Sequence, residues 1–198
     1  MHARAISIFV FVLASQAASF DPAKLVAAAE SQVAVTKSYD ASYRTLRYPG
    51  GDVPLETGVC TDVVIRAYRA LGIDLQELVH QDMEEHFALY PTIWSLRRPD
   101  PNIDHRRVQN LRVFFTRFGT SLDISDDPQN YRPGDLVTWN LAPSGKAVPH
   151  IGIVTQRKSL FGRRPLIVHN IGAGVKIEDT LFQFKITGHY RYAPSRVE

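Results

Sequence analysis

The hydrophobic residues keep two different rhythms along the chain. Between residues 23 and 119 they recur every three or four positions, the spacing of one helix face. After Pro128 they come in short strand-like runs. The first half therefore predicts four helices. Ala23 to Val35 is alanine-rich and carries Leu25, Val26, Ala29 and Val33 at helical spacing. A polar, tyrosine-rich stretch from Tyr39 to Tyr48 follows, then a Pro49-Gly-Gly-Asp52 turn. Thr61 to Leu71 sets Val63, Val64, Ala67, Tyr68 and Leu71 on one stripe, with Gly72 where a C-terminal cap belongs. Asp74 and Glu77 have capping-box spacing and open a third helix through Leu75, Leu78, Val79, Met83 and Phe87, ended by Pro91. Residues 91 to 105 read as an irregular loop. Val108, Leu111, Phe114, Phe115 and Phe118 mark the fourth helix, closed by Gly119.

The second half predicts strands. Pro133-Gly-Asp135 is a turn into Leu136–Asn140, and His150–Thr155, Pro165–Asn170 and a last strand near Ile186–Tyr192 follow. Helices first and antiparallel strands second is an α+β pattern, with no internal repeat.

Composition narrows the function classes. A formal charge of +3 is small, and the arginine pairs (Arg97–Arg98, Arg106–Arg107, Arg163–Arg164) are scattered, which speaks for a solvated surface and against a nucleic-acid partner. Arg4 followed by the apolar run Ala5–Ala14 and then small residues reads as an export signal, cleaved after Ala17 or Ser19. Residues 1–19 are thus expected to be removed. Residues 20–198 then form one monomeric domain, periplasmic or secreted, without stable membrane insertion.

Export gives the single cysteine its meaning. Secreted chains use cysteines in pairs, yet Cys60 has no partner in this chain. It also opens a predicted helix, whose unsatisfied N–H groups favour a thiolate and can stabilise an oxyanion. Asp62, in the same first turn, suits the helix but opposes ionisation of the thiol. A base should come from a histidine on a rigid element. His150 opens a strand with Gly152 two residues on, and His169 ends the next strand, where it can orient His150. Asn170 competes for the orienting role from the opposite face.

These residues carry a resemblance. Gly50-Gly51, Cys60 opening a helix, Pro133-Gly-Asp-Leu-Val137, His150-Ile-Gly-Ile-Val154 and Ile167-Val-His169 resemble, in that order, the NlpC-like papain-fold cell-wall peptidases. More closely, Tyr48–Pro54, Gly58–Tyr68, Asn102–Arg107, Val168–Gly172 and Gly188–Arg191 resemble the bacterial domain-of-unknown-function family 1287. The resemblance implies a papain-like domain, a helical half packed on a small antiparallel sheet. It implies Cys60 as nucleophile, His150 as base and His169 as its orienting residue. Peptidoglycan stem peptides are the implied substrate, and no cofactor is needed. It also implies an upstream tyrosine near the oxyanion, for which Tyr48 and Tyr43 are the candidates.

The remaining polar residues allow further expectations. Tyr48, Asp62, Asp104, His105 and Asn170 are candidate substrate-binding residues. Within residues 100–107 the alternative is a helix N-cap (Asp104 or Asn102) plus surface charge. His80 and His86 are six apart, on opposite sides of a helix, and Asp82 shares neither face, so no metal site is expected there. A metal hydrolase built from His105, His150, His169 and His189 is the second enzyme reading. A non-catalytic module that binds wall fragments on the same fold is the rival from another class.

Overall fold

Asp21 caps the first helix, α1 (Pro22–Glu30), its carboxylate accepting from the Ala23 N–H at 2.9 Å. The structure is a computed structural model describing residues 20–194, so the export segment assigned to residues 1–19 lies outside the described residues. The helix is shorter than its apolar run suggested. Leu25, Val26 and Ala29 are buried, but Val33 and Val35 are exposed and Ala34 takes a positive φ of 65°. Where another turn would pack, the Gln32 amide instead donates to the Val63 carbonyl at 2.9 Å. The chain then turns into a two-residue strand, β1 (Ser38–Tyr39), which runs parallel to β2 (Thr57–Gly58).

Cys60 follows β2 directly and is the first residue of α2 (Cys60–Arg69). Val59 cannot cap with its side chain, so Asp62 closes this helix start, accepting from the Val59 N–H at 2.6 Å. α3 (Leu75–His86) is capped by Asp74, which accepts from the Gln76 N–H, and it ends four residues earlier than Tyr90, passing into a 3-10 turn at Phe87–Leu89. α4 (Val108–Phe118) lies where the aromatic stripe predicted.

The sheet is larger than the sequence pattern announced. Besides β4 (Leu136–Asn140), β5 (Pro149–Lys158), β6 (Pro165–Asn170) and β8 (Lys185–Arg191), it holds β3 (Thr120–Leu122) and β7 (Val175–Glu178). All neighbours are antiparallel, in the order β3-β8-β4-β5-β6-β7. Strand alternation divides the core between two faces. Leu136, Ile151, Ile153, Val168 and Tyr190 pack on the helices, whereas Val137, Trp139, Val154 and Ile167 pack with Tyr131 and Leu181 on the other side. This α+β layout, a helix-start cysteine set against an antiparallel sheet, is the one expected. The Asp of Pro133-Gly-Asp135 is an internal anchor. It is fully buried, binds His189 at 2.9 Å and receives both Arg191 Nε and Nη2.

Candidate active site

The N-terminus of α2 abuts β5 beside its first residues. The Ile151 N–H, one residue after His150, and the Tyr39 hydroxyl lie near the Cys60 sulfur and favour its thiolate, and Tyr39 and Pro149 line one cleft with it. The parallel β1–β2 pairing explains the tyrosine: it sets Tyr39 beside Gly58, two residues before the thiol. Cys60 itself is 3% exposed. Burial pushes its thiol up to about 11; Asp62 adds to the rise, and the donors from Ile151, Thr61 and Tyr39 only partly offset it. The helix start thus does not win the electrostatic contest expected of it, because desolvation is the larger effect.

His150 and Gly152 on β5 and His169 on β6 alternate with the core-facing Ile151, Ile153 and Val168, and His150 stands at the strand end that the start of α2 abuts. Trp139 stands beside the His150 ring at 5.9 Å between centroids. His150 Nε2 and His169 Nδ1 are 2.8 Å apart, and His169 Nε2 lies 3.0 Å from a Glu178 carboxylate oxygen. A Cβ at Gly152 would come within 2.6 Å of Ile167 Cγ2 and 3.1 Å of His169 Cβ, so only glycine lets the two strands seat both rings. Burial and the neighbouring His169 hold His150 down at about 3, and burial lowers His169 against the opposing pull of Glu178. Both rings are therefore neutral near pH 7, and their tautomers follow. The Glu178 carboxylate can only accept, so His169 carries its proton on Nε2 and accepts at Nδ1. His150 then donates from Nε2, which leaves its Nδ1 as a free base.

Glu178 and Tyr39 were not among the candidates read from the sequence. Glu178 ends β7 opposite Ile167, diagonal to His169, and the alternation of Val175-Lys-Ile-Glu178 was its sequence signal. Tyr39 reaches the thiol only through the non-local β1–β2 pairing. The tyrosines weighed from the resemblance sit elsewhere. Tyr48 packs edge-on against His80 at 5.0 Å, and the Tyr43 hydroxyl bonds Asp100 at 3.0 Å.

The other candidate residues do structural work. Asp62 accepts Arg106 Nε and Nη2, each at 3.0 Å, with both side chains under 5% exposed. Its charge is thus matched by a guanidinium as well as by the helix start. Asn170 donates to the carbonyls of Gly58 and Ser38, tying β6 to the loop before Cys60, while His169 makes the bond to His150. Asp104 is fully buried, accepts the Asp100 N–H and lies 3.3 Å from Arg107 Nη1; burial raises it to about 6. His105 is 2% exposed with an unpartnered Nδ1, and burial beside Arg106 and Arg69 lowers it to about 3. His189 belongs to the Asp135 cluster. The four histidines of the metal reading are therefore spread over three clusters, His150 with His169, and His105 and His189 each apart. Among the described residues no three His, Cys, Asp or Glu side chains converge as a ligand set.

Beside Cys60 opens a cleft of about 220 Å³, lined by Tyr39, Trp94, Arg106, Arg107, Gln109 and Pro149 among others. Among the described residues its walls hold two arginines and no carboxylate. Arg106 is spent on Asp62, whereas Arg107 lies 4.1 Å over the Trp94 ring with a single 3.3 Å contact to Asp104. A guanidinium with donors to spare can take a carboxylate through two parallel bonds.

Comparison with known proteins agrees with the closer of the two sequence resemblances. A family model described as "Domain of unknown function (DUF1287)" matches residues 26–192. The "Uncharacterized protein YijF" of Escherichia coli strain K12 is 51% identical over 164 residues, 83% of this chain and 78% of that protein. Among solved structures, NlpC1 of Trichomonas vaginalis is similar with a TM-score of 0.48 and 16% identity over 89% of this chain. A lipoprotein-like NLP/P60 family protein of Staphylococcus aureus is similar at a TM-score of 0.43 and 15% identity over 90% of it. The chain spans less than half the length of these two structures, 46% and 44%. With a family model running through both the helical half and the sheet, and about half of 164 aligned residues identical to those of a bacterial relative, the chain belongs to the DUF1287 family.

Proposed function

We propose that this protein is an exported cysteine hydrolase that cleaves an amide bond, with peptidoglycan stem peptides as its substrate class. The observation that carries this reading is the juxtaposition at the start of β5. The Cys60 sulfur lies beside the N–H of the residue next to His150, and His150 is held by a His169–Glu178 relay that leaves Nδ1 unprotonated. A neutral thiol and a neutral imidazole make general-base catalysis the working mode. The thiol proton passes to His150 as sulfur attacks the carbonyl, and His150 returns it to the leaving amine. Water then hydrolyses the acyl-enzyme with the same base. The Tyr39 hydroxyl is placed to donate to the oxyanion, and Arg107 over Trp94 suits a substrate carboxylate near the scissile bond.

One observation favours the rival, a wall-binding module without catalysis: a thiol at about 11 beside an imidazole at about 3 is not an ion pair waiting to react. Purified peptidoglycan incubated with the wild type and with Cys60→Ala separates the two. The hydrolase releases new peptide fragments, identified by mass spectrometry, while the variant binds the wall but releases none. Equal binding with empty release profiles for both proteins would overturn hydrolysis and leave the module.

A further inference from the structure

The hairpin joining β5 to β6 carries two large apolar side chains where a turn normally carries polar ones. Ser159 and Gly162 close it: the Gly162 N–H donates to the Ser159 carbonyl at 2.7 Å, and Gly162 takes the positive φ of 66° that such a turn needs. The Ser159 N–H to Arg164 carbonyl bond at 2.8 Å ties its base. Leu160 and Phe161 occupy the two central positions, 100% and 89% exposed. Those positions favour Gly, Asn, Asp and Pro, so no local conformational reason calls for Leu-Phe. Hydrogen bonds hold the turn, and among the described residues no core side chain covers the pair.

The flanks are basic. Arg157, Lys158, Arg163 and Arg164 surround the tip, against two carboxylates that pair with them, Glu30 with Arg157 at 2.9 Å and Asp179 with Arg164 at 2.5 Å. Lys158 and Arg163 form no ion pair among the described residues, leaving the tip net positive. An apolar point ringed by uncompensated cations fits a surface that is negative outside and oily beneath. No helix of the described residues is long and apolar enough to cross a membrane, so such contact would be superficial.

We propose that the Leu160–Phe161 tip docks this protein onto an anionic phospholipid bilayer, inserting both side chains among the headgroups while Lys158 and Arg163 pair with lipid phosphates. Insertion of an aromatic and an aliphatic side chain supplies the hydrophobic part, and each basic residue adds electrostatic attraction at a negative surface. The geometry has a consequence for the cleft. His150 and Lys158 stand at opposite ends of one strand, eight residues or about 26 Å apart at ~3.3 Å per residue. Docking by the tip therefore holds the Cys60 end of the molecule away from the membrane and toward whatever lies above it.

Flotation of the mature chain with vesicles tests this. Vesicles of phosphatidylcholine with about one third phosphatidylglycerol should carry the protein at low salt, and pure phosphatidylcholine vesicles much less. Leu160→Ser/Phe161→Ser should lower the bound fraction about tenfold, the equivalent of about 1.4 kcal/mol, with an unchanged circular dichroism spectrum. Phe161→Trp should show a blue-shifted emission on the anionic vesicles, beyond that of the wild type. Absence of binding to either vesicle, or binding that survives the double serine variant, would overturn the proposal. So would sedimentation showing a dimer that the same variant dissociates, since the tip would then cover a second copy of this chain.

Discussion

Glu178 decides which nitrogen of His150 is basic, although it touches only His169. Its carboxylate accepts from His169 Nε2 at 3.0 Å, and the proton order passes along the 2.8 Å bond to His150. Removing it frees His169 to adopt either tautomer, and arrangements that protonate the wrong nitrogen of His150 then compete with the productive one. Glu178→Leu should thus lower kcat for amide hydrolysis about tenfold and His169→Leu about a hundredfold, with KM little changed. Steady-state kinetics on a stem-peptide substrate reads both; a Glu178→Leu enzyme of full activity would remove the relay from the mechanism. At the same scale, Asp62 acts differently from its sequence appearance. An acid two residues from Cys60 looks like an obstacle to ionisation, and it does raise the thiol. It also completes the cap of α2 and neutralises Arg106, two tasks that a buried guanidinium and an uncapped helix start both require.

At the level of elements, the site depends on how closely β5 and β6 approach. Gly152 has no side chain to hold them apart, and an added Cβ would overlap Ile167 and crowd His169. Gly152→Ala should cost about 1–3 kcal/mol of stability, as overpacking does, and should separate the two imidazoles. Urea unfolding measures the first effect. The second is visible as a His150 that titrates in NMR closer to an ordinary histidine, since the neighbouring His169 helps depress it. An unchanged His150 titration would show that the strands absorb the methyl elsewhere. α4 matters to the site through its start: Arg107, the residue before it, lies on Trp94 and lines the cleft.

Over the whole molecule, buried neutral histidines make the fold acid-sensitive. His105 and His150 both sit near 3 in the folded chain and near 6.5 when unfolded, so unfolding takes up a proton at each between those values. Their stabilisation is full above pH 6.5 and is lost progressively as pH falls toward 3. Asp104 works the other way: raised from 3.8 to about 6, it favours the folded state most below 3.8 and loses that contribution as pH rises through 6. Two histidines against one carboxyl leave a net loss of stability on acidification between pH 6 and 4. His105→Leu should flatten the dependence by about 1.4 kcal/mol per pH unit in that window. Urea denaturation at several pH values checks it, and slopes parallel to the wild type would mean that His105 does not stay neutral in the fold.

The amino-acid order alone determined the helical half, the α+β class and the place of Cys60 at a helix start, because periodicity, caps and glycines act within a few residues of chain. It also put His150 and His169 on neighbouring strands. Only the tertiary structure decided what surrounds them. Tyr39 meets the thiol through a parallel pairing to Gly58, and Arg106 meets Asp62 across 44 residues of sequence. Glu178 reaches His169 from β7, whose short alternation hints at a strand but not at the partner it will meet. Burial decided the rest. The helix start favours a thiolate, but a sulfur packed against β5 with 3% exposure loses more from desolvation than the helix returns. Desolvation depends on everything that folds over an atom, and so it could not be read from the residues beside Cys60.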